Sequence, residues 1–177
     1  DLETEETTHF IGSYNKYGLF QGVGKLTQVN GDIYDGEYVN GNKTGYGKMT
    51  LVNNLIYEGE WKDGITNGQC KITYANGDIY EGKFVDWNKM GFGKMCYSNG
   101  AIYEGEWNND KKNGRGKMIF ASKRIYEGEW NNDKMEEHGK IIYPNGDIYD
   151  GEWKNYKKNG QGRMRYANGA IYEGEWN

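Results

Sequence analysis

Apolar and polar residues alternate one by one through most of this chain. In the pentapeptide Tyr103-Glu104-Gly105-Glu106-Trp107, an aromatic residue, an acid, a glycine, an acid and an aromatic residue follow one another. The segment from Gly114 to Phe120 alternates in the same way. This period of two is typical of strands that present different faces, and no stretch shows the helical period of 3.6 residues. The pattern predicts an all-β fold.

The pentapeptide recurs every 23 residues. Its first tyrosine occupies positions 34, 57, 80, 103, 126, 149 and 172, and a less similar copy, Phe10–Tyr14, lies one residue out of phase. A fixed period of this length indicates stacked copies of one supersecondary unit. We therefore predict an elongated, single-layer antiparallel sheet of stacked β-hairpins over residues 10–177, with about seven full repeats and a truncated eighth. The acidic segment of residues 1–9 is predicted to be a flexible end. Because the last copy stops in mid-repeat, we expect the chain to be part of a longer protein.

The apolar positions also predict how the strands pair. Ile72 and Tyr80 reach the same face if the turn between them has three residues, with Gly77 in the left-handed conformation and a bulge beside it. On the other side of the hairpin we expect a six-residue loop from Lys62 to Asn67. The resulting register pairs Trp61 with Gly68, Gly59 with Cys70 and Tyr57 with Ile72.

The two faces differ in composition. Glycine, methionine and aromatic residues share one face, and Tyr and Trp rings are expected to lie over the glycines, which have no side chain to obstruct them. The acids of the pentapeptide share the other face with a basic column, so cross-strand ion pairs are expected there. The basic column consists of Lys48, Lys71, Lys94, Lys117, Lys140 and Arg163.

Composition and charge exclude several classes of protein. The chain has 28 glycines without a three-residue period, which excludes collagen, and its 16 tyrosines and 6 tryptophans recur in register, which argues against disorder. A net charge of −4 argues against duplex nucleic acid as a partner. No apolar run is long enough for a transmembrane helix, and the amino terminus does not resemble a signal peptide. We therefore expect an intracellular protein that is cytoplasmic, cytoskeletal or located at the cytoplasmic face of a membrane.

No motif predicts catalysis, a metal site or a cofactor. Segments such as Gly114-Arg115-Gly116-Lys117 resemble parts of phosphate-binding loops, but they recur in every repeat and no helix follows them. The paired acids Glu104 and Glu106 recur as well, which indicates a solvated face and not an acid–base pair. The polar stretch of residues 108–113 lacks the terminal glutamate of a calcium loop.

The histidines and cysteines are too far apart in the pattern to form a site. His9 and His138 lie in distant repeats. Cys70 is predicted to lie on the aromatic face and Cys96 on the opposite face, so we expect two reduced thiols and neither a disulfide nor a shared metal.

The chain departs from the repeat at three places, and we expect local irregularity around residues 121–124 and 136–139. Cys70 replaces the second glycine of its repeat, and Glu137 replaces a first glycine. Ser122-Lys123 replaces the usual Asn-Gly.

Repeats that read Tyr-Glu-Gly-Glu-Trp, then a polar loop, then Gly-x-Gly-Lys and an Asn-Gly-Asp-x-Tyr connection resemble MORN repeats (membrane occupation and recognition nexus). The resemblance extends from about Phe10 to Trp176. It implies an antiparallel sheet of hairpins with an aromatic-lined groove that is used for binding and not for chemistry. Proteins with such arrays include junctophilins, plant phosphatidylinositol phosphate kinases, ciliary radial-spoke proteins, myosin-binding adaptors and cytoskeletal scaffolds.

The leading hypothesis is a non-enzymatic scaffold or adaptor that binds a protein along its aromatic column. The column is the structural core of a sheet without a second layer, and such a sheet also leaves aromatic surface for a partner. A helical peptide is the partner geometry we favour. Homodimerisation through the terminal strand edge is a further expectation. The alternative is a phospholipid-binding or membrane-targeting module attached to a phosphatidylinositol phosphate kinase or another catalytic domain. The candidate partner-binding residues are Tyr34, Tyr57, Trp61, Tyr80, Phe84, Tyr103, Trp107, Tyr126, Trp130, Tyr149, Trp153, Tyr172 and Trp176.

Overall fold

The computed structural model describes residues 8–177, which contain fifteen β-strands and no helix. The predicted flexible end therefore falls mostly outside the described residues, and the proposed division of the chain stays a prediction. The described residues hold no helix that is long and apolar enough to cross a membrane. The chain divides into two units, Asp1–Trp87 and Asn88–Asn177.

The first unit is an open antiparallel sheet whose strands pair in chain order. Its strands are β1 His9–Tyr14, β2 Phe20–Thr27, β3 Ile33–Val39, β4 Asn42–Thr50, β5 Ile56–Lys62, β6 Ile65–Thr73 and β7 Ile79–Val85. Phe10 in β1 takes the place of the repeated tyrosine, because its ring lies against Gly12 and Gly24.

The second unit has the same construction. Its strands are β8 Asn88–Cys96, β9 Ile102–Asn108, β10 Lys111–Ile119, β11 Ile125–Asn131, β12 Lys134–Ile142, β13 Ile148–Lys154, β14 Lys157–Arg165 and β15 Ile171–Trp176. The predicted all-β fold of stacked antiparallel hairpins is confirmed, and each unit is a single layer.

The connections between consecutive repeats have the predicted three-residue turn. Ile72 pairs with Tyr80, Gly77 has a φ of 88°, and its N–H donates to the carbonyl oxygen of Tyr74 over 2.9 Å. The turn at Ser122-Lys123 has the same hydrogen bonds, with Lys123 itself at a φ of 65°. The irregularity predicted there is therefore wrong, because the backbone keeps the turn by placing a lysine in the left-handed region.

The predicted loop from Lys62 to Asn67 is also wrong. Lys62 pairs with Ile65, so the hairpin closes in two residues, Asp63 and Gly64, both with positive φ as in a type I′ turn. Gly59 pairs with Cys70 as predicted, but Trp61 then pairs with Thr66 and not with Gly68. The extra residues of β6 form a bulge instead of a loop, because a bulge keeps the strands hydrogen-bonded almost to the turn.

The same bulge recurs in most hairpins, and an acid of the pentapeptide stabilises it. The first glycine of the Gly-x-Gly segment adopts a positive φ, for example 72° at Gly114. The next N–H, that of Arg115, donates to Oε1 of Glu106 over 3.0 Å. Glu137 occupies the glycine position at a φ of 57°, and its hairpin still has the bulge between Gly128 and Trp130. The irregularity predicted at Glu137 is therefore absent from the strand pairing.

Candidate functional site

The repeated tyrosines form the interior of the aromatic face. The ring of Tyr103 lies across Gly105 and Gly116, and a Cβ at Gly116 would stand 2.6 Å from its ring carbons. Its hydroxyl donates to the carbonyl oxygen of Glu106 over 2.9 Å. The same hydrogen bond to the residue three positions later recurs in several repeats. The repeated tyrosines, those that open the pentapeptide, with at most 1% of their surface exposed are Tyr34, Tyr80, Tyr103, Tyr126 and Tyr149.

The repeated tryptophans connect neighbouring hairpins. Nε1 of Trp130 donates to the carbonyl oxygen of Gly116 on the preceding strand, over 3.3 Å. Its ring is edge-on to Tyr126 of its own strand and to Tyr103 of the preceding hairpin, with centroid distances of 5.3 Å in both cases. Edge-to-face pairs of this kind add to the stability that burial gives. We call this continuous set of tyrosine and tryptophan rings within each unit the aromatic ladder.

Half-buried lysines cover part of the aromatic ladder. Nζ of Lys112 lies 5.6 Å from the ring centre of Tyr103 and 5.3 Å from that of Trp130. It also lies 3.7 Å from a carboxylate oxygen of Asp133, which accepts the Lys112 N–H over 3.0 Å. The members of this column, the ladder lysines, are Lys43, Lys89, Lys112 and Lys158.

Several ladder positions, meaning the places equivalent to Lys112 in other repeats, contact the turn residue found 21 positions later. The N–H groups of Asp133 and Tyr156 donate to the carbonyl oxygens of Lys112 and Met135. Where the turn residue is aspartate, the ladder position is lysine and an ion pair closes the surface. At Met135 the turn residue 21 positions later is the aromatic Tyr156, and no ion pair exists between them.

Two turn residues present aromatic rings in a disfavoured backbone conformation. Trp87 and Tyr156 have φ values of 65° and 67°, and their side chains are 45% and 49% exposed. The Trp87 ring packs edge-on against Tyr57 at 5.4 Å. The Tyr156 hydroxyl donates to the carbonyl oxygen of Asp133. Bulky residues seldom adopt positive φ, so these contacts hold exposed rings in place against a backbone preference.

Burial shifts the acid–base behaviour of this face. It raises the pKa of Tyr34 and Tyr149 to about 12, with the carboxylates of Glu37 and Glu152 adding to the effect. Burial also lowers the pKa of Lys112 and Lys158. In each case the charged form is disfavoured because the ring-lined surface removes water from the group.

Most of the predicted binding residues are buried by one another. Among the thirteen candidates, Tyr57, Tyr172 and Trp176 keep substantial exposure, and the other ten lie almost entirely inside the ladder. Their part in partner binding stays a prediction. The accessible surface beside them comes from residues that the sequence analysis did not single out, namely the ladder lysines, Trp87, Tyr143 and Tyr156. The offset of 21 residues that relates Lys89 to Asp110 and Lys112 to Asp133 was a signal that could have found two of the ladder lysines.

The opposite face carries the predicted ion pairs. Nζ of Lys117 lies 2.7 Å from Glu127, and Nζ of Lys71 lies 3.6 Å from Glu81. Nε2 of His138 lies 3.4 Å from Asp150, with both side chains at least half exposed. Among the described residues no group of three or more His, Cys, Asp or Glu could hold a metal ion. Cys70 is buried on the aromatic face, Cys96 is half-buried, and both are free thiols.

Comparison with known proteins identifies both a repeat and a fold. The family model described as MORN repeat matches residues 10–33, 34–55, 57–79, 80–102, 103–123, 126–148 and 149–171. The TCP domain of SAS-4 (dCPAP) from Drosophila melanogaster, solved in complex with a proline-rich motif of Ana2 (dSTIL), is 15% identical. It has a TM-score of 0.57, with 96% of this chain and 90% of that chain covered. The TCP10c domain of Drosophila melanogaster Sas-4 is 13% identical with a TM-score of 0.53, covering 96% of this chain and 100% of that one. These likenesses show a shared fold. A search of curated proteins gave no significant match.

Proposed function

Since this chain belongs to the MORN-repeat family, we propose that it is a non-enzymatic scaffold or adaptor that binds a protein partner along its aromatic face. The observation that carries the proposal is that this face combines buried rings with exposed ones. A buried ladder held by hydrogen bonds forms a rigid base, and Trp87 and Tyr156 present half-exposed rings above it. Aromatic side chains on rigid elements are effective binding anchors, because they contribute large contact area and lose little conformational freedom.

The complex formed by the structural neighbour supports a peptide partner. The SAS-4 domain was solved with a proline-rich motif, and such motifs bind aromatic-lined surfaces in an extended form. The helical partner that we favour from the sequence is the other geometry to be tested. Both geometries place apolar side chains against the same face, so a single selection experiment can distinguish them.

The experiment is a selection of binding peptides from a displayed random library, followed by affinity measurements with surface variants. Trp87→Ala removes an exposed ring from the aromatic face. Tyr46→Ala is the matched control, because Tyr46 is 60% exposed on the opposite face. We expect the selected peptides to lose about tenfold or more in affinity with Trp87→Ala or with Tyr156→Ala, the loss typical of a binding anchor, and to bind Tyr46→Ala normally. Enrichment of proline would indicate an extended partner, and apolar residues at helical spacing would indicate a helix. A selection that enriches no peptide, or peptides unaffected by both aromatic-face variants, would contradict the proposal.

Phospholipid binding is the second candidate from the sequence, and the charge arrangement gives it less support. Lys71 and Lys117 of the basic column are paired with Glu81 and Glu127. Arg163 of the column also lies 4.0 Å from Glu173, so half of the column is paired with acids, which reduces its attraction for anionic headgroups. Co-sedimentation with phosphatidylserine vesicles in a salt series tests this candidate, since electrostatic binding would decrease as salt rises.

Self-association, intracellular location and a cytoskeletal or membrane-associated role stay predictions. Light scattering coupled to size-exclusion chromatography measures the mass in solution and tests the predicted dimer. Imaging the tagged full-length protein in its own cells tests the location.

A further inference from the structure

The second unit contains a groove of about 300 Å³ on its aromatic face. Its floor is formed by Met135, Ile141 and Trp153, each at most 5% exposed. Tyr143 and Tyr156 contribute its walls. An apolar floor beneath half-exposed rings is suited to a side chain of matching chemistry, and the volume is at the small end of the range for ligand pockets.

Two departures from the repeat create this groove. In the preceding hairpin, Lys112 covers the ladder and its ion pair with Asp133 closes the surface. One repeat later the corresponding residues are Met135 and Tyr156. Methionine has no charged end to reach across the rings, and the Tyr156 side chain is turned to the carbonyl oxygen of Asp133. The place that an ion pair closes in one repeat is therefore an open apolar groove in the next.

Two cations stand at the rim of this groove. The guanidinium of Arg124 lies 5.0 Å from the ring centre of Phe120, and its Nε donates to Ser122 Oγ over 3.1 Å. Nζ of Lys158 lies 5.3 Å from the ring centre of Tyr143 and 4.6 Å from that of Trp176. No carboxylate among the described residues lies within 4.0 Å of either charged group.

Arg124 and Lys158 can therefore each form an ion pair with a carboxylate of a partner. Lys158 is half-buried against aromatic rings; burial lowers its pKa, and the charge of Asp147 raises it by a smaller amount. A carboxylate brought by a partner would pair with two positive groups in a setting with less water than the open surface, where ion pairs are stronger.

We infer that this groove is the subsite for an acidic peptide segment. The segment places one apolar side chain on the floor between Met135 and Trp153, and an adjacent carboxylate between Arg124 and Lys158. The inference rests on the proposed function, since it names the chemistry of the partner segment at one part of the aromatic face. Charge complementarity selects the occupant, because the floor is apolar and both charged residues that line the groove, Arg124 and Lys158, are positive.

The test compares two short fluorescent peptides that are identical except for charge. One has the core aspartate–leucine–proline–aspartate, and the other has asparagine in place of both aspartates. Binding is followed by fluorescence anisotropy at low salt and by NMR of 13C-methyl methionine, with the Met135 signal assigned through Met135→Leu. We expect the acidic peptide to shift the Met135 methyl signal and to bind about three- to tenfold more tightly than the neutral one, as one or two partly exposed ion pairs would give.

Variants of the rim separate charge recognition from general attraction. Arg124→Gln and Lys158→Gln should each weaken the acidic peptide and leave the neutral peptide unchanged. Lys43→Gln is the matched control, because Lys43 also lies over a tyrosine and a tryptophan, 5.0 and 5.5 Å from their ring centres, but belongs to the first unit. It should change the affinity for either peptide less than twofold, as expected for a residue that makes no contact with the peptide.

The outcomes distinguish this inference from the proposed function. Equal affinity for the two peptides, or equal losses with Lys43→Gln and Lys158→Gln, would overturn the assignment of the rim. Binding that leaves the Met135 signal unchanged would overturn the assignment of the groove, while library peptides that still depend on Trp87 would leave the proposed function standing. Failure of the library selection itself would overturn both.

Discussion

The position of the Tyr103 ring makes Gly116 the most informative residue to change. A methyl group at Gly116 would overlap this ring, with only 2.6 Å to its Cε2 and Cζ atoms. The backbone at Gly116 is not in the left-handed region, so alanine adds steric overlap without φ strain. We therefore predict that Gly116→Ala destabilises the second unit by displacing Tyr103.

The loss of unfolding free energy in Gly116→Ala can be estimated from the contacts that hold the Tyr103 ring. Tyr103 has no exposed surface, its hydroxyl bonds to the Glu106 carbonyl, and its ring is edge-on to Trp107 and Trp130 at 5.1 and 5.3 Å. Overpacking costs about 1–3 kcal/mol, and loss of the hydrogen bond or an aromatic pair adds about 1 kcal/mol. Reduced freedom of the unfolded chain offsets about 0.4–1 kcal/mol. The expected loss of unfolding free energy is about 1–3.5 kcal/mol.

One repeat already contains a side chain at this position. Cys70 corresponds to Gly116, since it pairs with Gly59 as Gly116 pairs with Gly105. The tyrosine of that repeat, Tyr57, is only half-buried, in contrast to its fully buried counterparts. The steric conflict expected of Gly116→Ala is therefore resolved at Cys70 by displacing the ring.

The assay is urea denaturation followed by tryptophan fluorescence and circular dichroism, with coincidence of the two curves as the check on cooperativity. Gly174→Ala is the matched control, because a Cβ there would lie 3.0 Å from the hydroxyl of Tyr172, which is 43% exposed and able to move. It should cost less than about 1 kcal/mol, as an exposed site does.

A double-mutant cycle with Tyr103→Ala tests the cause. If the ring is the obstacle, Gly116→Ala should have little effect once the ring is absent, giving a coupling of more than about 1 kcal/mol. Equal losses at Gly116 and Gly174, or a loss at Gly116 that persists without the Tyr103 ring, would refute this reasoning.

Three further predictions follow from the backbone and from burial. Glu137→Gly should raise the unfolding free energy by about 0.5–1 kcal/mol, because it relieves a non-glycine residue at φ 57°, whereas Gly160→Ala, at φ 60°, should lower it; urea midpoints measure both. Folding raises the pKa of Tyr149 from its ordinary value of about 10 to about 12, so the folded state keeps this proton to higher pH and the free energy of unfolding should fall as pH rises from about 10 to about 12. In a pH titration, tyrosinate absorbance should increase together with loss of circular dichroism. Full ionisation of the tyrosines near pH 10 in a protein that stays folded would contradict this. Burial raises the pKa of the Cys70 thiol to about 11, so a thiol reagent should label half-buried Cys96 first and Cys70 only on unfolding, as mass spectrometry of the labelled peptides would show.

The sequence determined the strands and their register at the repeat junctions. Side chains alternate between faces with a period of two, so a pairing such as Ile72 with Tyr80 is the one that brings both apolar sets to the same face. The constant spacing of 23 residues then extends this one choice to every repeat. The prediction that rings lie over glycines followed from the same parity and is confirmed at Gly105 and Gly116.

The sequence did not determine how each hairpin closes. A long polar loop and a two-residue turn with a bulge both satisfy the alternation, and the choice depends on backbone hydrogen bonds such as that from Arg115 to the Glu106 carboxylate. The substitutions at Lys123 and Glu137 indicated irregularity, yet the neighbouring strands impose the repeat geometry and the two residues adopt positive φ.

For the candidate site, too, the sequence predicted one part and the tertiary structure decided the other. Periodicity alone marks the aromatic column, but it assigns one role to all thirteen members, whereas the structure buries ten of them and leaves surface to other residues. That surface is set by contacts between residues 21 positions apart, such as Lys112 with Asp133 and Met135 with Tyr156. Alternation fixes which face a side chain occupies, because it is a property of the single strand. Exposure within that face depends on what the neighbouring hairpin places beside each side chain, and only the tertiary structure decides that.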